Sequence, residues 1–160
     1  MGRKFYGNLD NRLAEGRQFC DEITVGTDVT EYFYSDRHAY EVIAVKDQKH
    51  VTIRRYDVKN VGGAYSNRWE YISNPENATF DLVKRGEVWY FTKTITADDY
   101  KAALEARMAE DPKNGENLYK LDLALAGFDA EKILAKGKQT TRSKANVSFG
   151  IADYYYDYEF

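Results

Sequence analysis

The run Tyr34-Ser35-Asp36-Arg37-His38-Ala39-Tyr40 holds the densest set of polar and aromatic side chains in the sequence. Three chemistries are open to it. Ser35, Asp36 and His38 are the residue types of a hydrolase triad. Triad members normally come from separate elements, however, and no Gly-x-Ser-x-Gly turn is present. In an extended segment Asp36 and His38 share a face, which permits a hydrogen bond between them and no more. As metal ligands, His38 and His50 would have to converge across strands with Asp36 or Asp57. The third chemistry is recognition: Tyr34, Asp36, Arg37, His38 and Tyr40 together offer carboxylate, guanidinium, imidazole and phenol groups to a partner. The inventory favours this third reading. There are two histidines and one cysteine, with no phosphate-binding glycine loop, dinucleotide pattern or paired-histidine zinc helix. The expectation is a protein that is not an enzyme and carries no cofactor or metal.

Two other clusters extend the candidate surface. Arg37, Lys46, Lys49, Arg54, Arg55 and Arg68 occur among Tyr32, Tyr34, Tyr40 and Tyr56, the mixture of basic and stacking groups with which small barrels hold single-stranded nucleic acid. Arg54 and Arg55 are chain neighbours, so on a strand they face opposite sides and only one can join a given surface. A plainer reading leaves those charges solvated and the tyrosines filling a barrel. The second cluster is the tail, Asp153-Tyr-Tyr-Tyr-Asp-Tyr-Glu-Phe160. Alternation sends Tyr154, Tyr156, Tyr158 and Phe160 to one face and Tyr155 and Asp157 to the other. The tail is either an acidic docking patch, whose carboxylates take phosphate positions on a basic partner, or a final strand closing a barrel with its aromatic face inward.

These groups need a scaffold, and the sequence texture supplies one. Residues 1–24 read as a polar arm anchored by Leu13, Phe19 and Ile23. Over 25–95 short β-branched and aromatic runs predominate. Thr27 to Tyr34 alternates; 40–46 with 50–57 forms a hairpin around Asp47-Gln-Lys49; Trp69 to Ile72 is a third segment. Thr79 to Val83 and Val88 to Thr94 flank a turn with Gly86 at a left-handed position. Close strand spacing with few prolines predicts a small, strongly bent antiparallel β-barrel, SH3-like or OB-like, within an α+β fold.

Helical periodicity then starts at Thr96, an N-cap followed by Asp98 and Asp99. Tyr100, Ala103, Leu104, Arg107 and Met108 are expected to pack on the barrel. A second helix over about 116–126 should turn Leu118, Leu121 and Leu125 inward, with Gly127 closing it. Asp129 caps a third helix ending at Lys136. The helical insertion is thus 96–136, and 137–160 reads as a mobile polar loop and then a closing strand or tail, all in one domain.

Bulk properties bound the rest. At 160 residues, 43% hydrophobic and 31% charged, the chain can bury a sizeable core. Aromatic residues reach 15%, with 14 Tyr, and tyrosine suits wet interfaces as well as strands. A net charge of −3 argues against general nucleic-acid affinity. The single Cys20 excludes an internal disulfide framework. No apolar run approaches the ~20 residues of a membrane span and no leader pattern opens the chain, so a cytoplasmic protein is expected.

Val25-Gly-Thr-Asp-Val-Thr-Glu, Tyr34-Ser-Asp-Arg-His-Ala-Tyr40, Val51-Thr-Ile-Arg-Arg55 and the closing Tyr-Tyr-Asp-Tyr-Glu-Phe160 resemble a family of small proteins carried by phages and mobile elements of Gram-positive gut bacteria. The resemblance covers 25–95 and the tail, and not the helical stretch. It implies a phage accessory protein acting in the host cytoplasm. Together with the lack of catalytic motifs, it leads to the expectation of an inhibitor of a host defence factor, of the anti-CRISPR kind. The rivals are a single-stranded nucleic-acid module and a sponge for a nucleotide immune signal, the latter needing Arg37, His38 and Arg54 or Arg55 around one concave pocket.

Overall fold

A computed structural model describes residues 17–155. These divide into two compact units, one made of the described residues up to Phe91 and from Ser143 onward, the other, Thr92–Arg142, inserted between them in the chain. In chain order the strands are β1 (Asp28–Tyr32), β2 (Arg37–Asp47), β3 (His50–Arg55), β4 (Asp57–Asn60), β5 (Trp69–Ile72), β6 (Thr79–Arg85), β7 (Val88–Thr96), β8 (Lys138–Ala145) and β9 (Val147–Phe149). Between β7 and β8 come α1 (Ala97–Glu110), α2 (Gly115–Leu125) and α3 (Ala130–Lys136).

Seven strands form one sheet in the order β8-β7-β6-β3-β2-β1-β9, and β4 and β5 pair separately. The ladder from β9 through β1, β2 and β3 to β6 is antiparallel. Its two outermost strands, β8 and β9, are consecutive in the chain with Asn146 alone between them. Consecutive Cα atoms lie about 3.8 Å apart, so the two ends of the strand order meet at this corner and the sheet must curl. A register shift between Val42 and Ala44 inserts Ile43 as a bulge into the long β2, and a bulge bends its strand locally. The result is a curled antiparallel sheet with three helices, an α+β fold.

Alternation and register define two faces. Val29, Tyr40, Val42, Ile53 and Phe149 face inward and form a buried core with Ile23, Val51, Leu82, Trp89 and Val147. The β9 edge is covered by residues 17–19: the Phe19 amide donates to the Phe149 carbonyl (2.7 Å) and the Phe149 amide to that of Arg17 (3.2 Å). Gly150 follows with φ +100°, and a β-carbon there would lie 2.8 Å from the Phe19 carbonyl carbon, so only glycine lets the two segments approach. The described part of the N-terminal arm is thus an edge cap.

Several sequence expectations match these elements: β5 spans Trp69–Ile72, Gly86 has φ +61° in the β6–β7 turn, and Thr96 and Asp129 cap helices, the latter ending at Lys136. Three need correction. First, β2 begins at Arg37, ahead of the expected 40–46; the connecting turn is 33–36, closed by the Phe33 amide on the Asp36 carbonyl (2.9 Å). Second, 138–145 is an edge strand instead of a mobile loop. Its alternation is carried by polar side chains, so it gives no hydrophobic period.

Third, α2 presents a different face. Leu118, Leu121 and Leu125 are 43%, 54% and 79% exposed, whereas Leu123 is buried and Tyr119 packs beside it. Gly115 explains the rotation: a β-carbon there would come within 2.4 Å of the Arg107 carbonyl oxygen, so the start of α2 is pressed against the end of α1. Tyr119 is thereby brought to Tyr100 (5.6 Å between rings). Tyr100 and Leu104 of α1 pack within this unit, around Leu123, Phe128 and Ile133, and Met108 is exposed. No helix among the described residues is long and apolar enough to cross a membrane.

Candidate functional site

The charged residues of the β1–β2–β3 ladder sort onto its two faces by alternation. On the far face lie Asp28, Thr30 and Tyr32 of β1, Arg37, Ala39 and Glu41 of β2, and Arg54 of β3. Most polar groups of this face are bonded to one another, although the buried Arg54 Nε has no partner among the described residues. Arg54 donates to Glu41 (2.7 Å) with side-chain exposures of only 18% and 12%, and Ser73 donates to the second oxygen of Glu41. The Tyr56 hydroxyl donates to Asp28 (2.6 Å). Burial, the hydrogen bond to Asp28 and the charges of Asp28 and Glu41 all drive its phenol pKa far above the usual tyrosine range.

The tail seals the same face. Gly150 donates to the Asp28 carbonyl (2.8 Å), and the Ile151 carbonyl accepts from the fully buried Thr30 hydroxyl (2.7 Å). Tyr32 and Ser148 share a buried hydroxyl–hydroxyl bond (2.7 Å). The chain then reaches β2 beyond the end of β3, where Arg37 and Tyr155 exchange backbone hydrogen bonds of 2.9 and 3.0 Å. The Arg37 guanidinium donates to Asp153 (2.6 Å) and lies 5.3 Å from the centre of the Tyr32 ring. Arg37, the leading residue of the recognition segment, is therefore part of a clasp between β2 and the tail. The described tail residues form no strand; they join β2 through this one isolated bridge. Tyr156, Asp157 and Tyr158 lie outside the described residues.

The core face ends differently. Glu31, His38, Tyr40 and Arg55 occupy cross-strand positions at its open end, since Glu31 pairs with His38 and Tyr40 with Arg55 in the register. The Tyr40 hydroxyl donates to Glu31 (2.6 Å). Burial raises the Glu31 pKa, while Tyr40 and the Arg55 charge oppose the rise; burial and Glu31 together push the Tyr40 phenol far up. For His38, burial and then the Arg55 charge lower the imidazole pKa, with Asp36 opposing weakly.

The His38 ring sits between aromatic neighbours, stacked on Tyr154 (5.6 Å, 12°) and tilted against Phe33 (4.6 Å). Tyr154 in turn meets the Trp69 edge at 4.5 Å, and its amide donates to the Tyr71 hydroxyl (2.8 Å). Beside Tyr40 stands Phe80, 40% exposed, in edge contact with both Tyr40 and Phe91. Arg55 itself is exposed and takes no ion pair among the described residues.

The sequence candidates thus separate. His38, Tyr40, Arg55 and Tyr154 come together at the open end of the core face; Arg37 and Arg54 lie on the far face in ion pairs. Tyr34 is exposed in the β1–β2 turn with Asp36 beside it, and Arg68 is exposed in the β4–β5 connection. The basic groups do not form one surface, and the pocket of Arg37, His38 and Arg54 or Arg55 is not assembled. His38 and His50 stand at opposite ends of β2, His50 being bonded to Asp47 (2.8 Å) at the β2–β3 turn, so they cannot share an ion. Among the described residues no group of three or more His, Cys, Asp and Glu is placed to hold a metal.

Sequence reasoning missed Glu31, Phe33, Trp69 and Phe80. Alternation puts Glu31 on the same strand face as Val29, but its convergence with His38 and Arg55 needed the register. The chain matches no protein-family model, no curated protein and no solved structure.

Proposed function

We propose that this chain is a non-enzymatic recognition protein that acts by occupying a protein partner, and that the partner is a bacterial defence factor of the CRISPR effector-nuclease class. The phage context rests on the resemblance of the 25–55 motifs and the tail. We read the curled sheet as an SH3-like or OB-like small barrel working in the host cytoplasm. One observation carries the recognition reading: an exposed guanidinium, Arg55, with no ion pair among the described residues, stands beside Phe80 and the His38–Tyr154–Trp69 array. Arginine and large aromatics supply most of the binding energy at protein interfaces, where rigid rings bury large areas at little entropic loss. A pre-set ring array needs little ordering on association. Nucleic acid fits this end of the sheet less well, because Arg37 and Arg54 are neutralised elsewhere and one cation gives weak phosphate affinity.

The test is protection of phage in strains carrying single CRISPR effectors, followed by direct binding of purified protein to the effector that was silenced. Arg55→Ala and Phe80→Ala should each weaken the complex at least tenfold. A panel in which no effector is bound and no phage protected would remove the proposal.

A further inference from the structure

Residues 61–68, the connection between β4 and β5, are tied down from within. The Asn60 amide donates to the Ser66 carbonyl (3.1 Å) while its oxygen accepts from the Gly62 amide (2.9 Å), and the Ser66 hydroxyl accepts from the Arg68 amide (3.2 Å). The Val61 amide on the Arg68 carbonyl (2.9 Å) closes the loop, and the Ser66 amide on the Gly63 carbonyl (3.2 Å) makes its turn. A β-carbon at Gly62 would lie 2.1 Å from the Ser66 hydroxyl oxygen, so the turn is packed to the limit that glycine allows. Tyr65 stands near the tip with φ +59°, where every other described residue of positive φ is glycine. A bulky side chain is strained in that conformation, and with 77% of its surface exposed the residue gains little burial in return. Arg68 is exposed as well and takes no ion pair among the described residues.

We propose that this loop is a second contact for the protein partner, one that presupposes the recognition role of Arg55, and that it takes an acidic segment of that partner. Tyr65 is the aromatic anchor and Arg68 the donor to a carboxylate. Continuity carries the assignment. The Trp69 indole donates to Asn67 of the loop (3.1 Å) and meets Tyr154 edge-on at 4.5 Å, so the loop and the His38–Tyr154–Trp69 array share one ring. Charge points the same way. Arg55 and Arg68 are both exposed guanidiniums without an ion pair among the described residues. The carboxylates of the β4–β5 pair are balanced locally: Asp57 accepts from Asn74 (2.8 Å) and Asn77 (2.9 Å), and Glu70 stands opposite Lys59 in the register. A guanidinium can grip a carboxylate through two parallel hydrogen bonds, and tyrosine and arginine are among the residues that most often anchor protein interfaces. A loop already held in shape loses little entropy when it docks.

The probe is the effector silenced in the phage screen, its binding followed by surface plasmon resonance, with a melting curve for each variant. Asparagine accepts a left-handed conformation, so Tyr65→Asn should melt no lower than wild type and yet bind at least about tenfold more weakly. Arg68→Gln should lose about fivefold and Arg68→Glu clearly more, because a reversed charge repels a carboxylate. Arg85→Gln, which removes an exposed cation at the end of β6, should stay within about twofold. If wild type binds no effector, the partner and the loop contact fall together. If wild type binds and Arg55→Ala weakens it while Tyr65→Asn and Arg68→Gln do not, the loop contact alone is overturned. It is also overturned if Arg68→Glu binds no worse than Arg68→Gln, or if Tyr65→Asn lowers the melting temperature, which would make the ring part of the scaffold. An oligothymidylate that displaces the effector from wild type but not from Arg68→Gln would overturn it in favour of a phosphate site.

Discussion

Arg54 and Arg55 are neighbours in β3, and their surroundings could hardly differ more. On the far face of the ladder Arg54 is paired with Glu41, largely removed from water and roofed by Ser73. On the core face Arg55 is exposed, and its charge acts on Glu31, Tyr40 and His38 from beyond ion-pair distance. One residue of alternation separates a charge used to hold the fold from one available to a partner. The same division runs along β2, where Arg37 serves the tail clasp and His38 the aromatic array. A cluster of polar residues in a sequence is therefore not a site until its faces are assigned.

The sharpest way to break this contrast is to attack the closed face. Glu41→Ala leaves the Arg54 charge partly buried and uncompensated and should destabilise by about 3 kcal/mol, read as a drop in urea midpoint. Glu41→Ala with Arg54→Met should recover most of the loss. A loss under about 1 kcal/mol in the single variant would mean the seam is an ordinary surface pair. Next in size is Arg37→Ala, which opens the clasp at Asp153 and is expected to remove about 1 kcal/mol, a charged hydrogen bond discounted for its partial exposure. Amide exchange at Tyr155 should accelerate with it; unchanged exchange would show the tail held by its backbone bonds alone.

His38 sharpens the comparison through pH. Its folded pKa lies below the unfolded value near 6.5, so the fold favours the neutral ring. The corresponding stability is present above pH 6.5 and is lost as pH falls toward the folded value. His38→Phe retains a ring against Tyr154 and cannot be protonated. The melting temperature of the wild type, relative to this variant, should therefore fall as pH drops below 6.5, and a constant difference would count against a desolvated imidazole. The smallest effect belongs to Arg55→Ala, whose stability should stay within about 0.5 kcal/mol of wild type while partner binding is lost. A loss well above that would place Arg55 in the scaffold.

Local signals in the sequence proved readable and distant ones did not. Thr96 announces α1 because its cap is satisfied by Asp99 three residues on. The opposed faces of Arg54 and Arg55 follow from strand geometry alone. The Arg37–Asp153 pair joins positions 116 residues apart, and no periodicity encodes such a partner. β8 was hidden because its alternation is polar. α2 misled because it has two apolar stripes, and the seat of Gly115 against α1, a tertiary contact, selects the one at Tyr119 and Leu123.

The single residue between β8 and β9 also sets an order of events during synthesis. Val29 pairs with Phe149, so β1, β2, β3 and β6 leave the ribosome long before the strand that covers β1. Between them come Thr92–Arg142, roughly three to ten seconds of translation at 5–20 residues per second. The helical segment has its own core and local contacts and can form in that interval. The nascent sheet meanwhile exposes the β1 edge and one side of its core, the time at which the chain most needs a chaperone.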